Sequence, residues 1–99
     1  MNAELIGDIQ KAVERAGECE AEHIESLAVV EMFRGKTAWQ GVVESFRLIG
    51  HPKAKRAYGW AYQDGEETRY LAVLEIPPVT SPQTAVKVAI AAAAKRARG

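Results

Sequence analysis

The chain reads as an α+β domain: a helix, a four-stranded antiparallel meander and a second helix, in two layers with both helices on one face of the sheet. Three observations predict this. Apolar residues recur at helical spacing near both ends of the chain. Between them lie four segments rich in β-branched and aromatic residues. The connections between those segments are short and built of turn-forming residues, which pairs consecutive strands antiparallel. The 99 residues make one domain, and 47% hydrophobic with 26% charged residues is the composition of an ordinary globular protein. No internal repeat or low-complexity linker interrupts it.

Residues 3 to 17 predict the first helix. Leu5, Ile6, Ile9, Ala12, Val13 and Ala16 form one apolar stripe, with Asn2 as cap and Gly17 as stop. The acidic "ECEAEHIE" either extends this helix or leads to the sheet as a loop. "SLAVVEMF" is the first strand, and Gly35-Lys36 turns it into "TAWQGVVESFRLI". "GHPK" leads to "AKRAYGWAYQ". Asp64-Gly65 is the strongest hairpin signal, since a type I′ turn needs positive φ at both positions. "TRYLAVLEI" is the fourth strand, and "PPVTSP" stops it because proline cannot donate to a ladder. Ser81 and Pro82 are a cap and first-turn pair for the last helix, which runs to about Arg96. Lys95, Arg96 and Arg98 suit its carboxyl end.

Strand alternation then sorts side chains onto two faces. With Gln63 opposite Glu66 and Ile49 opposite Ala54, one face, A, carries Trp39, Gly41, Val43, Ser45, Arg47, Tyr58, Trp60, Tyr62, Leu71 and Val73. Gly35-Lys36 as the first turn adds Ala28, Val30 and Met32 to it. The other face, B, carries Val42, Glu44, Phe46, Leu48, Ala57, Gly59, Ala61, Tyr70, Ala72, Leu74 and Ile76, together with Leu27, Val29, Glu31 and Phe33. Face B is small in its third strand and suits two helices, with Tyr70 filling the gap at Gly59. Face A is then left uncovered. An exposed patch holding Met32, Trp39, Val43, Tyr58, Trp60, Tyr62, Leu71 and Val73 marks an interface or a ligand groove, and Gly41 lets something approach the backbone. The alternative is a strongly coiled sheet whose rings wrap over one another, with Trp60 beside Arg69 as a cation–π pair.

Charge and motifs narrow the function. Thirteen basic residues balance thirteen acidic ones, which argues against a general affinity for nucleic acid or anionic lipid. Acids dominate residues 1 to 31 and bases residues 32 to 63. That split is a set of solvated faces or a means of electrostatic pairing between copies. A single cysteine suits a reducing cytoplasm. The amino terminus does not read as a signal peptide, and "VAIAAAA" falls short of the ~20 residues that span a bilayer. Cys19 and His23 would share a helical face, yet with only His51 elsewhere they make half a zinc site, so no metal or cofactor is expected. No catalytic set emerges. Glu44 points toward the helix layer near Gly59, unless a bulge turns it outward. Arg47 opposite Arg56, with His51 and Lys53 in the turn, is a candidate anion site or a charged, soluble hairpin end. Aromatic and basic residues on an open sheet are also how some sheets stack single-stranded bases. "RAYGWAY" lacks the signature of those sheets.

The run "AWQGVVESFRLIGHPKAKRAYGWAY", continuing to "YLAVLEIPPVTSPQTAVKVAI", resembles small uncharacterised bacterial proteins with a W-x-G-x-V strand, a GHPxA turn, a YxW strand and a PPVxSP helix start. The resemblance covers roughly residues 37 to 90. It implies a bacterial cytoplasmic source and transfers no catalytic role to any residue. The sequence thus predicts a non-enzymatic interaction module that forms a homodimer through face A. A small-molecule binder using the same face as a groove, with Glu44 as its acid, is the alternative, and single-strand nucleic-acid binding is the third reading.

Overall fold

The computed structural model describes residues 3–97. Its elements are α1 (Ala3–Gly17), β1 (Glu20–Phe33), β2 (Lys36–Ile49), β3 (Arg56–Asp64), β4 (Glu67–Leu74) and α2 (Pro82–Ala97). The strands form one antiparallel sheet in the order β1-β2-β3-β4. This is the α+β helix–meander–helix arrangement that the sequence predicts. Ser81 caps α2 in a reciprocal box. The Thr84 amide donates to the Ser81 hydroxyl at 3.2 Å, and the Ser81 amide donates to the Thr84 hydroxyl at 2.9 Å. The Asn2 cap and Arg98 lie outside the described residues.

The acidic segment is strand, not helix. α1 ends at Gly17, and it is Glu18, at φ 51°, that takes the left-handed conformation. Gly17 serves close packing instead: a Cβ there would lie 3.2 Å from the Cys19 sulfur. β1 then starts at Glu20, and α1 clamps it. Gln10 donates to the Ala21 carbonyl at 2.9 Å, and the Ala21 amide donates to Glu14 at 3.0 Å. Cys19 and His23 therefore never share a helical face. Among the described residues, no group of three or more His, Cys, Asp or Glu side chains could hold a metal ion.

The two helices lie on opposite faces of the sheet, which corrects the two-layer expectation. Ile9 and Val13 of α1 pack on face B with Phe46, Leu48 and Ala57, and α1 lies chiefly over β3 and β4. Val79, Ala85 and Val86 pack on face A with Val43, Tyr58 and Trp60, and α2 lies chiefly over β1 and β2. Face A is therefore not left bare.

Registers explain part of the difference. β2–β3 is as expected, with Glu44 opposite Gly59. In β3–β4 the loop is Gly65-Glu66, so Trp60 faces Leu71 and Tyr58 faces Val73. That is a slip of two residues, which leaves every side chain on its expected face. It also sets Arg69 opposite Tyr62, away from Trp60, and Tyr70 opposite Ala61. β1–β2 differs by an odd step. Its turn is Arg34-Gly35, both with positive φ, and Ala38 is bulged out opposite the Glu31–Met32 step. Val29 then faces Gly41 and Glu31 faces Trp39, so these two join face A, while Ala28 and Val30 turn to face B.

The gap at Gly59 is filled by α1, not by Tyr70. A Cβ at Gly59 would lie 2.6 Å from the Ile9 γ2 methyl and 3.1 Å from Val13. Gly59→Ala is expected to destabilise the fold by about 1–3 kcal/mol in urea denaturation. Ile9→Leu, which removes the γ2 methyl, should recover part of that loss in the double variant but none in the wild type.

Candidate functional site

The middle of the sheet is forked. β2 and β3 pair over four residue pairs only, Glu44–Arg47 with Gly59–Arg56, followed by the Leu48 amide on the Lys55 carbonyl at 2.8 Å. Beyond Glu44, β2 pairs with β1 alone, and beyond Gly59, β3 pairs with β4 alone. Twisted hairpins that share so short a ladder diverge toward their tips. On face A the divergence is bridged by Trp39 and Trp60, whose rings meet edge to face at 5.6 Å and 62°. Trp39 reaches across by lying back over Gly41, where a Cβ would sit 2.9 Å from the indole. The close approach expected at Gly41 is thus made by the protein's own tryptophan.

α2 covers the crotch of the fork and leaves a groove on each side. The first is a cleft of about 330 Å³ lined by Trp39, Trp60, Tyr62 and Leu71 from the sheet and Val86, Ala89, Ile90 and Ala93 from α2. The second, of about 430 Å³, runs between α2 and the end of the β1–β2 arm, beside Glu31, Met32, Phe33 and Lys87. Glu31 ties that arm to α2 by accepting from Gln83, with the Lys87 ammonium 3.9 Å away.

The structure divides the residues expected at the aromatic face. Val43, Tyr58 (2% exposed) and Trp60 (3%) are core beneath α2. Leu71, Val73 and Trp39 pack around them. Tyr62 remains 41% exposed at the cleft. Met32 leaves the aromatic group for the second groove, receiving the Thr37 hydroxyl at its sulfur. No family model, no curated protein and no solved structure matches this chain.

The basic residues stay apart from both grooves. Arg47 does stand opposite Arg56, but Glu22 of β1 supplies Arg47 with its anion at the surface. His51 is a turn residue: its Nδ1 accepts the amides of Lys53 at 3.0 Å and Ala54 at 2.8 Å. Lys53 is exposed, and neither groove is lined by any of the four. Glu44 lies on face B, 6% exposed and opposite Gly59, so it cannot act on anything bound on face A. It accepts from His23 Nε2 at 2.7 Å and from the Ser26 hydroxyl. In a nucleophile relay the histidine stands between serine and carboxylate. Here the carboxylate stands in the middle, an arrangement that pins β1 to β2. The bulge falls at Ile24 in β1, which lets His23 and Ser26 both reach Glu44.

The residues that sequence reasoning missed are Val79, Val86, Ala89, Ile90 and Ala93. Val86 and Ile90 sit four apart with Ala89 and Ala93 beside them, a stripe too large for the alanine–glycine face and suited to the aromatic one.

Tyr58 also holds the end of β4, donating its hydroxyl to Glu75. Burial, then the hydrogen bond to Glu75 and its negative charge, push the Tyr58 pKa well above its ordinary value, while Arg56 pulls the other way. The folded state holds this proton more tightly than the unfolded chain does. The resulting stability is complete below about pH 10 and is lost as pH rises above it. Between about pH 9 and pH 11, wild-type stability in urea should therefore fall more steeply than that of Tyr58→Phe, which has no phenol to ionise on unfolding.

Proposed function

We propose that the protein is a small binding module that holds an apolar small molecule in the cleft between α2 and the aromatic strands. The observation that carries this is the cleft itself. It is about 330 Å³ and lined by three aromatic rings and five aliphatic side chains. Ligand pockets start at roughly 300 Å³ and are built mainly from such groups. Tyr62 is the one titratable group in its lining, which supports binding over catalysis. A dimer formed through the whole of face A, or bases stacked along it, would require α2 to leave Tyr58 and Trp60. The reading therefore passes from the face to the cleft.

The test is a titration with 2-ethylnaphthalene, read by tryptophan fluorescence, since both tryptophans border the cleft. Saturable binding is expected in the wild type. Ala93 is exposed and lines the cleft, so Ala93→Phe should fill the space without disturbing the core. Binding at least about tenfold weaker, with an unchanged urea midpoint, is the expected outcome. Binding that ignores this substitution would place the ligand elsewhere.

Self-association is the second reading, carried by a different observation. Val30, Met32, Phe33 and Val42 are exposed on the β1–β2 arm, an apolar group of the kind that marks interfaces. Sedimentation equilibrium should then show a dimer that Val42→Glu converts to monomer. A wild type that stays monomeric at high concentration rejects this reading and leaves the cleft untouched.

A further inference from the structure

Building on the reading of the cleft as a ligand site, we infer that its ligand is an uncharged aromatic molecule bearing a carbonyl-type acceptor, which takes the indole N–H of Trp60. Charge is the first argument. None of the eight residues lining the cleft is charged. A carboxylate or ammonium placed there would lose its hydration and find no partner, so it is strongly disfavoured.

The second argument is the donor left over. Trp60 is 3% exposed. Its indole nitrogen can only donate, and a buried tryptophan usually finds an acceptor for it. Among the described residues, the Trp60 N–H has none. No sealed side-chain nitrogen or oxygen lacks a partner there either. The Trp60 nitrogen is therefore in the small part of that side chain still open, and Trp60 is one of the residues that line the cleft. A ligand that closed the cleft without offering an acceptor would bury this N–H unpaired, at the cost of a lost hydrogen bond.

The remaining polar groups point the same way. Trp39 brings a second N–H, and Tyr62 a hydroxyl that can donate. No carboxylate, amide or imidazole side chain lines the cleft, so a ligand rich in donors would be poorly served. The shape favours a flat ring. Trp39 and Trp60 stand at 62° to each other, which offers one ring face and one ring edge to an aromatic guest.

The experiment uses the full chain labelled with ¹⁵N. Its two tryptophans give two indole N–H cross-peaks, assigned with Trp39→Phe. The probes are 2-acetylnaphthalene, its near-isostere 2-ethylnaphthalene, and 2-naphthoate. We expect the ketone to move the Trp60 indole proton downfield as the site saturates, and the ethyl compound to bind without that shift. Naphthoate should bind at least about tenfold more weakly than the ketone, because its charge goes unpaired. Trp60→Phe should weaken the ketone about three- to tenfold relative to the ethyl compound, the range of one neutral hydrogen bond. The wild-type cross-peak decides the matter even where Trp60→Phe does not fold. The inference is overturned if both neutral probes bind and the Trp60 proton stays in place, if naphthoate binds best, or if a folded Trp60→Phe weakens the two neutral probes equally. Failure of every probe to bind would reject the ligand site itself, a different and separately readable result.

Discussion

The short ladder between β2 and β3 governs this molecule. Four residue pairs join two hairpins, one of them built from strands of 14 residues each. A four-stranded sheet paired along its full length would offer a broad surface on which two helices can lie side by side, about 10 Å apart. A sheet joined only at its base offers two narrower surfaces instead, one on each hairpin. The helices come to rest on opposite faces, each lying chiefly on one hairpin while its core reaches the other. α1 takes face B over β3 and β4, and α2 takes face A over β1 and β2.

The residues at the junction are those that such a narrow connection requires. Gly59 has no side chain, so Ile9 and Val13 can descend onto the sheet at the joint. Opposite it, Glu44 is buried yet satisfied by two donors from β1, which locks the outer hairpin to the same point. A buried carboxylate is a poor source of net stability, and removing its partners is far worse than never having had it. Its contribution here is one of register: it fixes where β1 sits on β2 despite the bulge at Ile24. On the other face, Val43 and Tyr58 lie under α2 next to the same joint. Each core thus reaches the junction from its own side.

How much of this is legible in the sequence follows from parity. Alternation sorts residues correctly whenever the register error is even. The Gly65-Glu66 loop displaces β4 by two, so Leu71 and Val73 stay with the aromatic strand. The GHPK turn gives the β2–β3 register directly, and with it the position of Glu44. β1 is lost because a turn one residue earlier and a bulge at Ala38 combine to an odd step, and nothing local in "FRGKTAW" announces a bulge. The helix faces are lost for another reason. Small residues in β3 correctly mark the surface that receives a helix, but Ile9 and Val13 of α1 fill that surface by themselves. Where α2 goes then depends on how far β2 and β3 stay together. That is set by the twist of whole hairpins, and no residue type encodes it.

The cleft is the remaining consequence of the fork. A helix lying over the crotch of two diverging hairpins touches one of them well and stands away from the other. Larger residues on its inner side would close the space. α2 instead presents Ala89 and Ala93 toward Tyr62 and Leu71, and leaves about 330 Å³ between them. The side chains around that space forgo the dispersion contacts that leucine at either position would give them. Leucine is nearly as good a helix former as alanine, so helix propensity does not compel the smaller residue. Across the sheet the opposite choice is made: at Gly59 the helix drives Ile9 and Val13 down until no Cβ would fit. One face is closed to contact at Gly59 and the other is left open beside Trp60. The two faces of one small sheet are thus packed in opposite ways.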